Sequence, residues 1–151
     1  VGDTWLRYVP TDPKWQPTPD AAAEAALLLV EYSRPLNGAT DVECEFFDEV
    51  ELFHPIEMWE GVRCPACGAD IEDWWYESVG TANEKGFSDL AATTPCCRTT
   101  TTLNDVGFIR PAAFGKFALS SMNPTTEPTR EQDAEVARRL GAKVRKVWTH
   151  L

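Results

Sequence analysis

Four of the five cysteines in this chain fall into two close pairs, Cys64-Pro65-Ala66-Cys67 and Cys96-Cys97, and no other feature restricts the fold as strongly. Two thiols separated by two residues can wrap one cation while backbone N–H groups point at the sulfurs, and Gly68 permits the left-handed turn that follows. The two pairs together supply a closed tetrahedron of thiolates, so Cys64, Cys67, Cys96 and Cys97 are expected to hold one structural Zn2+ per chain. A site closed in this way keeps no position for water, which argues against a hydrolytic metal. The second pair is irregular, because adjacent cysteines must both turn toward one ion, and Pro95 helps to set that bend. Should Cys96 or Cys97 point away, His54 or Cys44 is the substitute ligand. By itself Cys44 alternates with Val42 and Phe46 and reads as a small core hydrophobe, while His54, before Pro55, reads as a solvated loop residue. A redox role for Cys64 and Cys67 lacks the strand-to-helix context it needs.

Paired cysteines of this kind fit a metal site better than a disulfide framework, which places the protein in a reducing cytoplasm. The opening VGDTWLRYVP has no basic start followed by an apolar stretch and a small-residue cleavage site, and no apolar run reaches the ~20 residues needed to cross a bilayer. At 151 residues the chain can form one domain with a small embedded module. Its net charge of −10 is unevenly spread. Twelve acidic residues lie between Asp41 and Glu77 against the single base Arg63, whereas six basic residues crowd between Arg130 and Lys146. The acidic region repels nucleic acid and attracts a basic protein.

On either side of the cysteine pairs the chain has similar plans. Trp5–Val9 reads as a strand, followed by a proline-rich loop, a helix over Ala21–Arg34 capped by Thr18 with Pro19 in its first turn, and an alternating strand Val42–Phe46 with Glu49–Phe53 as its hairpin partner. The helix is expected to turn Ala23, Ala26, Leu27 and Val30 inward. Toward the end, Lys116–Ser121 forms a strand, Thr129 and Gln132 have capping-box spacing, Glu131–Leu140 is helical with Ala134, Ala137 and Leu140 inward, Gly141 ends that helix, and Val144–Trp148 is the last strand. The expected fold is α+β: two βαβ-like halves, residues 1–62 and 111–151, form one mainly antiparallel, ferredoxin-like sheet. Residues 63–110 are an inserted zinc-ribbon module, with a helix from Ile71 to Lys85 and a hairpin in the threonine-rich stretch Thr93–Thr102.

Catalytic signals are absent by comparison. The two histidines, His54 and His150, have no evident nucleophile, and Gly80–Gly86 lacks the Gly-Lys-Ser/Thr ending of a phosphate loop. The chain therefore reads as a binding protein in preference to an enzyme. Trp15, Trp59 and Trp74 are the aromatic interface candidates, and the strand acids Glu43, Glu45, Glu49 and Glu51 complete the partner-binding set. Trp5, Trp75 and Trp148 belong to the core.

The stretches WLRYVPTDPKWQPTPDAA, CPACGADI, TTPCCRTTTTLNDVGF and LGAKVRKVWTHL resemble a widespread group of small, uncharacterised bacterial zinc-ribbon proteins. The doubled cysteine belongs to that group's pattern, which implies that Cys96 and Cys97 are both ligands; the group's glycine after the pair is Arg98 here. Some of its members carry a transporter-ATPase label, but this chain has no Walker motif. The resemblance implies no activity. The residues themselves lead to an acidic module that binds a basic protein, as an immunity or antitoxin-like inhibitor does. The alternative is a nucleic-acid-binding or regulatory zinc ribbon using Arg98, Arg138, Arg139, Lys143, Arg145 and Lys146.

Overall fold

The computed structural model describes residues 2–151. Four long strands make the frame: β1 (Thr4–Pro10), β2 (Val42–Phe53), β7 (Ala113–Met122) and β8 (Val144–His150). They lie in the order β2-β7-β1-β8, and every neighbouring pair is antiparallel. Two helices, α1 (Pro19–Ser33) and α3 (Arg130–Leu140), cover one face of this sheet. The protein is thus of mixed α+β class, with a third helix and four short strands placed between β2 and β7.

Local chemistry sets the helix limits. Thr18 accepts from the Ala21 N–H and Pro19 stands in the first turn, while Arg34 ends α1 in the left-handed region and directs its N–H to Val30 O. In α3 the Thr129 and Gln132 capping box is complete, and Gly141 closes the helix with φ 94°.

The buried faces differ from the expected ones. In α1 the buried residues are Ala22, Ala25, Leu29 and Ser33, and Leu27 is 73% exposed. This helix is rich in alanine and leucine around its whole circumference, so periodicity leaves its rotation open. Tertiary bonds settle it: Ser33 Oγ lies 2.7 Å from Ser121 Oγ on β7, and Cys44 Sγ donates to Ala22 O. In α3, Val136 and Leu140 are buried and Ala134 is exposed. The rotation brings Asp133 to the sheet, where it accepts from the Tyr8 hydroxyl and pairs with Lys146 Nζ at 3.2 Å. Burial, then the bond to Asp133, raises the Tyr8 phenol far above its usual range.

A second correction concerns β2. Glu49–Phe53 does not fold back on Val42–Phe46; both belong to one strand that pairs along β7 with a shift of register between Phe46 and Glu51. The irregularity leaves alternation in step, with even-numbered residues inward on both sides of it and Phe47 and Phe53 together on the other face, but it hands the strand to a different core. Before it, Val42 and Cys44 pack beneath the helices and Phe46 meets Phe117 edge-on; after it, Val50 and Leu52 join a different core.

That core belongs to the segment between β2 and β7. It contains β3 (Val62–Arg63) paired with β6 (Gly107–Phe108), helix α2 (Glu72–Asn83), and β4 (Ala91–Thr93) paired with β5 (Thr100–Thr102). Its centre is Trp75, fully buried, with the indole N–H donated to Leu103 O at 3.0 Å. Ile71, Phe87, Leu90 and Cys64 surround it, and Val50 and Phe114 enter from the sheet. Asn104 fastens the two parts. Its Oδ1 accepts from Phe114 N at 3.0 Å and Arg145 Nη1 at 2.9 Å, and its Nδ2 donates to Thr11 O.

Candidate metal centre

Two tight turns bring the four paired cysteines together. At the first, Cys64 N donates to Ala69 O, Gly68 N returns to Cys64 O, and Gly68 adopts φ 76°. At the second, Thr94 N donates to Thr99 O, Arg98 N returns to Thr94 O, and Arg98 adopts φ 58°. The bonding is the same in both. Superposing the patterns sets Thr94 opposite Cys64, Pro95 opposite Pro65, Cys96 opposite Ala66, Cys97 opposite Cys67 and Arg98 opposite Gly68. The second turn is therefore a Cys-x-x-Cys turn whose first cysteine is threonine and whose third position carries a cysteine instead. Cys64-Pro-x-Cys67 and Thr94-Pro-x-Cys97 already display this relation in the sequence.

The sulfurs of Cys64, Cys67, Cys96 and Cys97 all lie within 4.8 Å of one another. Cys64 to Cys97 is 3.7 Å and Cys67 to Cys96 is 3.4 Å. Both distances are far beyond a disulfide bond of about 2.05 Å. They approach the ~3.8 Å edge of a tetrahedron whose corners stand about 2.3 Å from a central ion. The donor set thus fits a thiophilic, tetrahedral cation. Cys64 is buried, while Cys67, Cys96 and Cys97 are exposed, so the cluster caps the outer end of the segment.

Dipoles are aimed at the charges such an ion requires. The Cys64 thiol is lowered to about 6, chiefly by the N–H of Cys67, against desolvation, which is next in size, and with smaller help from the Ala66 N–H and the Cys96 and Thr94 side chains. Hydroxyls of Thr99 and Thr94 lower Cys97, and Thr99 Oγ1 lies 3.1 Å from its sulfur. Cys67 is the proton holder. The Ala69 N–H acts to lower it, but the proton it donates to Cys96, desolvation and the other sulfurs push it up to about 12. A bound cation displaces such a proton.

The two substitute ligands lie elsewhere. Cys44 Sγ donates to Ala22 O under α1, and burial raises its thiol. His54 accepts from Ile56 N–H through Nδ1, which leaves Nε2 to donate to Tyr76 Oη at 2.8 Å. Its ring stacks on Trp59, and desolvation lowers its pKa.

The seven partner-binding candidates are dispersed. Glu43, Glu45 and Glu51 line hollows on the sheet face carrying Arg7, where Glu45 accepts from Ser120 Oγ. The irregularity in β2 carries Glu49 away from them, beside Gly86 and a hollow edged by Lys14, Lys85 and Lys116. Trp15 is half-buried near Gly141. Trp59 is stacked on Trp75 and donates its indole N–H to Glu72. Trp74 opens onto a groove between α2 and β4.

Basic residues near the C-terminus are largely taken up within the fold. Arg138 and Arg139 pair with Glu135, Lys146 with Asp133 and Glu127, and Arg145 with Asp105. Of the twelve acids between Asp41 and Glu77, only Glu57 and Glu60 have an ion-pair partner among the described residues. No helix among the described residues is long and apolar enough to cross a membrane. Comparison of the chain with protein-family models, with curated proteins and with solved structures finds no match.

Proposed function

We propose that this protein is an acidic, zinc-containing protein-binding module that captures a basic partner, in the manner of an immunity or antitoxin-like inhibitor. The observation that carries this reading is the electrostatic asymmetry: the basic cluster is engaged by internal carboxylates, while the acids of 41–77 have almost no ion-pair partner among the described residues. A field of one sign over much of the surface steers an oppositely charged protein toward it. A zinc ion on four thiolates leaves two further negative charges at the exposed end of the segment. The same asymmetry disfavours nucleic acid, since four of the six bases in the C-terminal cluster already face carboxylates.

In this proposal the metal is Zn2+, chosen for its preference for tetrahedral sulfur, and its role is structural. The order β2-β7-β1-β8 with α1 and α3 on one face supports a ferredoxin-like frame, and the paired turns on β3–β6 and β4–β5 support a zinc-ribbon insert of the resembled bacterial group. The test is native mass spectrometry of protein gently captured from its source cells. One zinc per chain and a basic companion, lost at high salt and in the Glu43→Lys, Glu45→Lys, Glu49→Lys, Glu51→Lys variant, is the expected result. A chain with zinc but no basic companion overturns the binding role; a chain without zinc overturns the metal assignment.

A further inference from the structure

Helix α2 and strand β4 face one another across a groove of about 550 Å³. Trp74, Ala92 and Leu103 supply its apolar surface, and Glu77 and Asp89 stand at its rim together with Lys85. Beside it runs an unpaired strand edge. Among the described residues β4 has a single partner, β5, on its other side. Leu90 O accepts from Leu103 N and Thr94 N donates to Thr99 O, which fixes the parity of the hairpin. The alternate residues Ala91 and Thr93 therefore turn their backbone groups away from β5. Asp89 occupies the Ala91 N–H, leaving the Ala91 carbonyl and both backbone groups of Thr93 on the edge.

We infer that this groove receives an extended, lysine- or arginine-bearing segment of the partner protein, which adds to β4 as a further strand. The inference rests on the binding role proposed above and locates its point of contact. In an extended segment, alternate side chains point opposite ways, so one set settles on Trp74 and Leu103 while the other reaches Glu77 and Asp89. The surrounding charge selects the occupant. Glu72, Asp73, Glu77 and Glu84 lie along or just after α2, so a second copy of this acidic chain meets like charge at the same edge.

The probe is a fluorescent heptapeptide alternating lysine with valine and leucine, titrated into the metal-loaded full chain at low ionic strength. Saturable binding is expected, and N-methylation of alternate peptide nitrogens should weaken it by about tenfold or more through lost ladder bonds. Trp74→Ala and the pair Glu77→Lys, Asp89→Lys should weaken it comparably, with thermal melting recorded to confirm folding. Thr93→Pro removes one outward N–H without touching the β5 side. Equal affinity for the N-methylated peptide overturns strand addition, whatever the variants do. An equally tight glutamate-for-lysine peptide overturns the charge assignment. Failure of the peptide to bind, while the basic companion is still captured from cells, removes the groove and leaves the wider role standing. Dimerisation that Thr93→Pro abolishes would place a second copy on the edge and also overturn the inference.

Discussion

Exchanging Cys96 for alanine removes the one candidate ligand that departs from the regular turn, and the structure indicates both the cost and the remedy. A tetrathiolate zinc site is worth about 10–16 kcal/mol in all. Divided evenly over four ligands and converted at about 1.4 kcal/mol per tenfold, each accounts for roughly a hundredfold to a thousandfold in affinity. Cys64 is met by backbone N–H groups of Cys67 and Ala66, whereas Cys96 is met by the Cys67 thiol. Cys96→Ala should therefore fall near the lower end, a loss of about a hundredfold, and Cys64→Ala near the upper. The remedy is Thr94→Cys in the Cys96→Ala background. Thr94 is 1% exposed, occupies the place Cys64 holds in the first turn, and sets its Oγ1 3.8 Å from Cys97 Sγ. That separation matches the ~3.8 Å expected between two ligands of one zinc ion. Competition against a chromophoric chelator under reducing conditions measures the affinities, and the absorption of the Co2+-substituted protein reports tetrahedral thiolate. The double variant should regain most of the loss of Cys96→Ala. If it stays as weak as Cys96→Ala alone, the two turns are not equivalent; if Cys96→Ala binds as tightly as the parent, Cys96 is no ligand.

Asn104→Ala takes a shared acceptor from Phe114 N–H and Arg145 and a donor from Thr11 O, so a loss of about 3–5 kcal/mol is expected in urea unfolding of the metal-loaded protein, and a loss under about 1 kcal/mol contradicts the fastening role. Arg98→Gly relieves the left-handed residue of the second turn and should stabilise the protein by about 1 kcal/mol; a lowered melting temperature would show that the Arg98 side chain makes compensating contacts. Burial lowers the His54 pKa below its ordinary value of 6.5, so the unfolded chain takes up that proton first. The neutral ring's contribution is complete above about pH 6.5 and declines as pH falls through the lower folded value. Urea midpoints at pH 7.5, 6.5 and 5.5 should therefore fall more steeply for the parent than for His54→Gln, and parallel profiles would remove His54 from the pH dependence.

Much of the site is legible in the amino-acid sequence, because ligand identity and turn chemistry are local properties. Cys64-Pro-x-Cys67-Gly68 dictates a tight turn with N–H groups aimed at sulfur, and Thr18-Pro19, Thr129-x-x-Gln132 and Gly141 mark helix ends by bonds that span only a few residues. Alternation in Val42–Phe46 likewise marks a strand wherever that strand is placed.

Helix rotation and strand continuity are decided at longer range. The apolar pattern of α1 admits several faces, and Ser33 meeting Ser121 selects one; that of α3 is overruled by Asp133, which must reach Tyr8 and Lys146. Phe46-Phe47-Asp48-Glu49 breaks the alternation in the same way whether the chain turns back or merely slips register, and only β7, running alongside, shows that it slips. The exclusion of Cys44 and His54 from the four-cysteine cluster is of the same kind, since which side chains meet there depends on folding the intervening segment onto Val50 and Phe114. Short-range hydrogen bonds and residue chemistry thus determine which elements this chain has and which cysteines are candidate ligands. Packing between residues far apart in sequence decides which faces those elements bury and which side chains they leave for a partner.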